Sequence, residues 1–162
     1  MGQRILRLMR DVIFAGSISL MTVPLFATSA TSGPSATVEQ SVTDLLNSAE
    51  ADYKERLFTN ALSKAKQADG IQNKPGWQAV SVHRTIVRYA LAAKEWTLAL
   101  DELDRILAAN EGNRIESLKE ALATSMMLKD KTKAAEYARQ LGGNLSEDLR
   151  LEFGLPLLQG SH

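Results

Sequence analysis

Few residues in this chain are spaced to do chemistry, and His83 is the first to weigh. It falls on the apolar side of a helical stretch, with no Glu or His three or four positions further on. The spacing of a helical metal motif is therefore missing, and a core or edge histidine is the expected outcome. His162 stands at the terminus and is given no role. Asp101, Glu102 and Asp104 crowd one stretch together with Arg105. Consecutive side chains on a helix point around its axis and do not converge, so this run reads as a solvated face. Glu50 and Asp52 are expected on opposite sides of their helix for the same reason. Gly142-Gly143 lacks the strand and the lysine that a phosphate-cradling loop needs. Without any cysteine there are no disulfides, thiolate metal sites, Cys nucleophiles or lipid-bearing cysteines. No catalytic residue, metal or cofactor is assigned, and the reading is of a protein that is not an enzyme. Arg84 and Arg88 are spaced i, i+4, so their side chains leave one helix face.

The elements that carry these residues are helical. A chain of 162 residues fits one domain, and 44% apolar with 23% charged residues is ordinary for a globular fold. Ala and Leu dominate while Gly and Pro together number 14, which favours helices over short strands joined by many turns. Lys plus Arg equals Asp plus Glu at 19 each, so the basic footprint of a nucleic-acid binder is absent.

The first thirty residues follow another rule. Arg4, Arg7 and Arg10 make a basic start, opposed by Asp11 alone. A charge-free stretch then runs from Val12 to Val38, apolar over 12–27 and leading into Thr28-Ser29-Ala30. Basic, apolar and small in that order is the layout of a secretory signal peptide, with cleavage near Ala30 or Ala27. An uncleaved membrane anchor is the alternative. Its sixteen apolar positions would reach ~24 Å at ~1.5 Å each, short of a ~30 Å hydrocarbon core. The expected organisation is a signal segment over 1–30, a linker over 31–37, a helical domain over 38–153 and a tail over 154–162. An exported protein, periplasmic or secreted, follows from it. After cleavage the net charge is −2, which selects no partner.

Downstream, the punctuation is legible. Thr37-Val-Glu-Gln40 has capping-box spacing. Apolar residues then recur at threes and fours from Val42 through Leu57 to Ala68, which predicts one long helix or two joined near Glu55. Asp69-Gly70 and Asn73-Lys-Pro-Gly76 break the chain. A second run carries Trp77, Val80, His83, Ile86, Val87, Ala90 and Leu91, and Lys94-Glu95 reads as a tight turn. Trp96, Ala99, Leu100, Leu103, Ile106 and Leu107 form the next face, with Trp96 expected to be substantially buried. Asn113-Arg-Ile-Glu116 caps a third run with Ile115, Leu118, Ala121, Leu122 and Met126. Lys129-Asp130-Lys131 turns the chain into Ala134, Tyr137, Ala138 and Leu141, which Gly142-Gly143 stops. Asn144-Leu-Ser-Glu147 starts one more short helix before Gly154. No window alternates with period two, so the fold class is all-α.

Helix pairs recurring every 34 or so residues, with small residues where helices cross, resemble tetratricopeptide repeats. The resemblance is carried by His83, Ile86, Val87 and Ala90, followed by Trp96, Ala99, Leu103 and Ile106. It recurs 35 positions later in Leu118, Leu122, Ser125, Ala134, Ala138 and Leu141, and covers roughly 42–141. The family's glycine is Val87 and then Leu122, and its terminal proline is Glu111 and then Ser146. The resemblance implies antiparallel pairs stacked as a short solenoid, a plain helical bundle being the alternative. It further implies a groove lined by the first helix of each pair, with Arg84, Arg88 and Lys119 at groove places. Three cations there would suit an acidic peptide or another protein segment. Met126-Met127 and Leu155-Pro-Leu-Leu158 are the apolar surface to set against it. The expected function is an envelope adaptor or scaffold that binds a protein partner. The alternatives are an accessory subunit of a membrane complex held by a retained N-terminal helix, and an enzyme whose site is not recognised. Nucleic acid is not an expected partner, and the membrane is one only if the N-terminal segment is retained.

Overall fold

The computed structural model describes residues 34–110 and 112–156. The signal segment and the first three residues of the expected linker, 31–33, lie outside them. The described chain is all-helical, without strands, and consecutive helices pack as adjacent antiparallel pairs. The helices are α1 (Pro34–Lys54), α2 (Phe58–Gly70), α3 (Gly76–Ala93), α4 (Trp96–Ala108), α5 (Arg114–Leu128), α6 (Lys131–Leu141) and α7 (Glu147–Glu152). A 3-10 turn at Gly142–Asn144 separates the last two.

One turn recurs at every pair, and it explains where the helices stop. At Arg56, Lys94 and Lys129 the backbone enters the left-handed region, with φ of 63°, 63° and 60°. The following amide then reaches back to the carbonyl five positions earlier. Leu57 N–H donates to Asp52 O at 2.9 Å, Glu95 N–H to Ala90 O at 2.8 Å and Asp130 N–H to Ser125 O at 2.9 Å. This is the Schellman arrangement, which satisfies carbonyls that a helix end leaves orphaned. Glycine usually occupies the left-handed position because it has no Cβ, yet here Arg or Lys stands in all three turns. The same turn closes α7 at Gly154, where Leu155 N–H donates to Arg150 O at 2.8 Å.

The turns set a register that the core repeats. Four positions after Leu57, Glu95 and Asp130 stand Ala61, Ala99 and Ala134, each at most 2% exposed. Eleven positions after the same three residues stand Ala68, Ile106 and Leu141, likewise buried. Their N-terminal neighbours Ala65, Leu103 and Ala138 complete one buried stripe on each of α2, α4 and α6. Against these stripes pack Val42 and Ala49 of α1, Ile86, Val87 and Ala90 of α3, and Leu118, Ala121 and Leu122 of α5. Burying each large aliphatic side chain among these, such as Leu103, Ile106 or Leu122, contributes ~1.5–3 kcal/mol, and the alanines contribute less.

Of the two alternatives for residues 42–68, the structure has two helices, joined beside Glu55 where Arg56 takes the left-handed turn. Several expectations are corrected. α1 begins at Pro34, inside the stretch expected as linker. Proline suits a first helical turn, where its missing N–H would be unpaired anyway. Trp96 is half-buried, since it opens α4 at the edge of the pair and Ala99 takes the crossing. Leu57, Trp77 and Ile115, read as apolar-face residues, are 46%, 66% and 41% exposed. Each sits at or beside a helix start, beyond the neighbouring helix. The cap at Asn113 is as expected, its side chain accepting from Glu116 N–H at 3.3 Å. The described part of the tail is tied down. Buried Arg150 donates to Gly142 O at 2.8 Å and to Pro156 O at 2.9 Å, and Leu155 packs on the core.

Candidate functional site

The odd-numbered helices make one layer and the even-numbered helices another, and each layer is stitched by polar contacts. In the odd layer α1 meets α3 through Gln78, whose amide donates to Glu39 O at 3.1 Å. A larger cluster forms near the C-terminal ends of the same two helices. Arg88 pairs with Glu50 across the helix gap, and the Tyr89 hydroxyl donates to Glu50 Oε2 at 2.9 Å. Arg88 also donates to the Tyr89 oxygen at 3.0 Å and lies 4.8 Å from the ring centroids of both Tyr53 and Tyr89. Those two rings stack with centroids 5.0 Å apart. A guanidinium over aromatic faces gains cation–π attraction, although the buried Nε of Arg88 has no hydrogen-bond partner.

The titration of this cluster follows its burial and bonding. Burial works to lower the Arg88 pKa, but its bonds and charge contacts with Tyr89 and Glu50 outweigh that and raise it. Burial pushes the Tyr89 phenol up to about 12, with Arg88 opposing and Glu50 adding to the rise. Both groups therefore keep their protons throughout the physiological range.

Arg84 leaves the same side of α3 one turn earlier and reaches the opposite way. It bonds Glu120 Oε2 at 3.1 Å and the Ser117 hydroxyl, both on α5. It also passes the inter-pair loop so closely that a Cβ on Gly112 would lie 3.4 Å from its Nη2. Burial raises the Glu120 pKa against the lowering effect of Arg84, with Glu116 adding to the rise. Lys119 is half-buried on α5, with no hydrogen-bond or ion-pair partner among the described residues.

The three sequence-selected cations thus share the odd layer without acting as one free cluster. Arg84 and Arg88 each carry an internal carboxylate, and Lys119 stands apart. The residues that sequence reasoning missed are Glu50, Tyr53, Tyr89, Ser117 and Glu120. One signal was available. Glu50 and Arg88 both lie six positions before a turn residue, Arg56 or Lys94. Equivalent places in successive pairs are neighbours in space, so opposite charges there predict a bond. That inference requires the α1–α2 break, which the sequence left open.

The even layer corrects the acidic run. Glu102 is 4% exposed, accepting from Arg105 at 3.1 Å and facing His83 Nδ1 at 2.8 Å. Asp104 accepts from Lys133 Nζ at 2.8 Å and from the Tyr137 hydroxyl, joining α4 to α6. The run is not a plain solvated face, because helices pack on two of its sides. Among the described residues no side-chain hydroxyl bonds His83 Nε2. No group of three or more metal-ligating side chains converges among them. Nor is any described helix long and apolar enough to cross a membrane. No protein-family profile, curated protein or solved structure matches the chain.

Proposed function

We propose that this protein is an exported helical-repeat adaptor that holds a segment of a protein partner on its odd-helix layer and performs no catalysis itself. The observation that carries the reading is the recurrence of one turn and one buried register through α1–α2, α3–α4 and α5–α6. Stacked pairs of this tetratricopeptide-like kind present the first helix of each pair side by side, as a rigid surface of polar and aromatic side chains. In this reading Arg84, Arg88 and Lys119 face the partner, with Tyr53 beside Arg88. A partner carboxylate would compete with Glu50 or Glu120 for a guanidinium that is already oriented. The basic-then-apolar start of the chain supports delivery to the cell envelope.

Site-specific photo-crosslinking in cells of the source organism tests the reading. Ser81, exposed on α3, shares a stripe with Arg84 and Arg88, whereas Asp101 is exposed on α4 in the even layer. A probe at Ser81 should give a discrete protein adduct and one at Asp101 should not. Equal adducts from both, or none from Ser81, would overturn the assignment of the binding surface. Intact mass of the envelope-fraction protein checks export, the expected loss being roughly the first thirty residues.

A further inference from the structure

A cleft of about 530 Å³ opens between the first two pairs, where the turn after α1 faces the end of α3. Leu57, Phe58, Ala92 and Ala93 give it an apolar lining, and Arg56 and Lys94 border it. Thr59 and Asn60 complete the lining, and no Asp or Glu belongs to it. Arg56 and Lys94 are exposed, and neither has a hydrogen-bond or ion-pair partner among the described residues. That sets them apart from Arg84, Arg88, Arg105, Lys64 and Lys133, each of which is matched by an acid of the same chain. Both cations occupy the left-handed turn position, so equivalent places in successive pairs bring two like charges to one cleft.

The third turn provides the contrast. A cavity of about 720 Å³ lies where the turn after α5 faces the end of α7, with Met126 and Phe153 as apolar lining. Lys129 and Lys131 border it, but so do Asp130 and Glu152, and the charges balance. The two sites share one architecture and differ in net charge.

We infer that the cleft between the first and second pairs is a docking site for an acidic segment of a protein partner. Its carboxylates would be recognised by Arg56 and Lys94, and an apolar side chain beside them by Leu57, Phe58, Ala92 and Ala93. The inference rests on the reading of the protein as an adaptor and adds a second surface with a stated chemistry. Charge complementarity is its argument, since an ammonium and a guanidinium beside apolar lining match alternating acidic and apolar residues.

Left-handed backbone supplies a clean test. Glycine is the favoured residue at this turn position, so Arg56→Gly and Lys94→Gly remove both charges while keeping the turn. The full chain is titrated into a fluorescein-labelled peptide of alternating Asp and Leu, read by anisotropy at low and at physiological salt. Saturable binding that weakens with salt is expected, because exposed pairs are screened within ~8–10 Å at such ionic strength. The double variant should bind at least tenfold more weakly and melt no lower than wild type. Lys129→Gly makes the same change at the balanced cavity and should leave the affinity unaltered. The inference is overturned if the acidic peptide fails to saturate, if the double variant binds as wild type, or if Lys129→Gly loses as much. A Ser81 adduct alongside any of those results would sink the cleft and leave the adaptor reading standing.

Discussion

The front and rear halves of the core share a register and fill it with different volumes. The front half centres on α1, α2 and α3, and its buried stripe on α2 is Ala61, Ala65 and Ala68. The rear half, from α4 to α6, puts Leu100, Leu103 and Ile106 against Leu118, Leu122 and Leu141. α3 and α4 divide their faces between the two, with Ile86 and Ala99 turned forward and Val87 and Leu103 turned back. Small side chains hold helices together by close approach, while large ones do so by interdigitation at a wider spacing. Each half also has a tyrosine whose ring is core and whose hydroxyl joins an acid shared with a base. Tyr89 does this with Glu50 and Arg88 in the odd layer, and Tyr137 with Asp104 and Lys133 in the even layer. A repeat therefore constrains positions, not residue types.

The largest expected effect tests the difference in volume. Leu103→Ala should empty part of the rear core and destabilise the protein by ~2–5 kcal/mol. Ala65→Leu should instead overpack the front core and cost ~1–3 kcal/mol. Chemical denaturation of both variants measures this. An Ala65→Leu protein as stable as wild type would show that the front helices are not in close approach.

A middle-sized effect probes the two tyrosines. Their pKa values are raised on folding, Tyr89 to about 12 from an ordinary 10 and Tyr137 further still, burial being the first cause in both. The folded state thus holds these protons more tightly than the unfolded state does. Their contribution is complete below about pH 10 and is lost as pH rises through 12. Lys133 is also raised, by its hydrogen bond to Asp104, and its contribution fades in the same direction. Melting temperature should be flat from pH 7 to 9 and fall between 10 and 12. Tyr89→Phe and Tyr137→Phe should each make that fall shallower. A wild-type curve flat to pH 12 would break the link between the hydroxyl clusters and stability.

The smallest effect compares the turns themselves. Lys94 and Lys129 carry a side chain in the left-handed region, where L-residues are strained by ~1–2 kcal/mol. Either one replaced by Gly should leave stability unchanged or raise it by up to ~1 kcal/mol, a few degrees in melting temperature. Gly154, already in that region, should respond in the opposite sense when changed to Ala. A loss of stability in Lys94→Gly and Lys129→Gly together would mean that those side chains hold their turns by contacts, not by backbone geometry.

What the sequence alone determined was whatever depends on local spacing. The three- and four-residue recurrence specified helices, Asn113 and Gly142-Gly143 marked their ends, and the Ala99–Ala134 spacing placed two of the pairs. Arg84 and Arg88 were legible as one face for the same reason. Tertiary structure decided what those faces meet. A charged turn residue such as Arg56 breaks a helix as well as glycine does once Asp52 O and Leu57 N–H are brought together. No composition rule marks such a break, and without it the offset between α1 and α3 is undefined. With that offset, Glu50 becomes the partner of Arg88, and Arg56 comes to share a cleft with Lys94. Glu102 passes from an apparent surface acid to a buried one, because α3 covers it and His83 faces it. Burial and pairing of charge depend on which helices become neighbours, and one helix's periodicity contains no record of its neighbour.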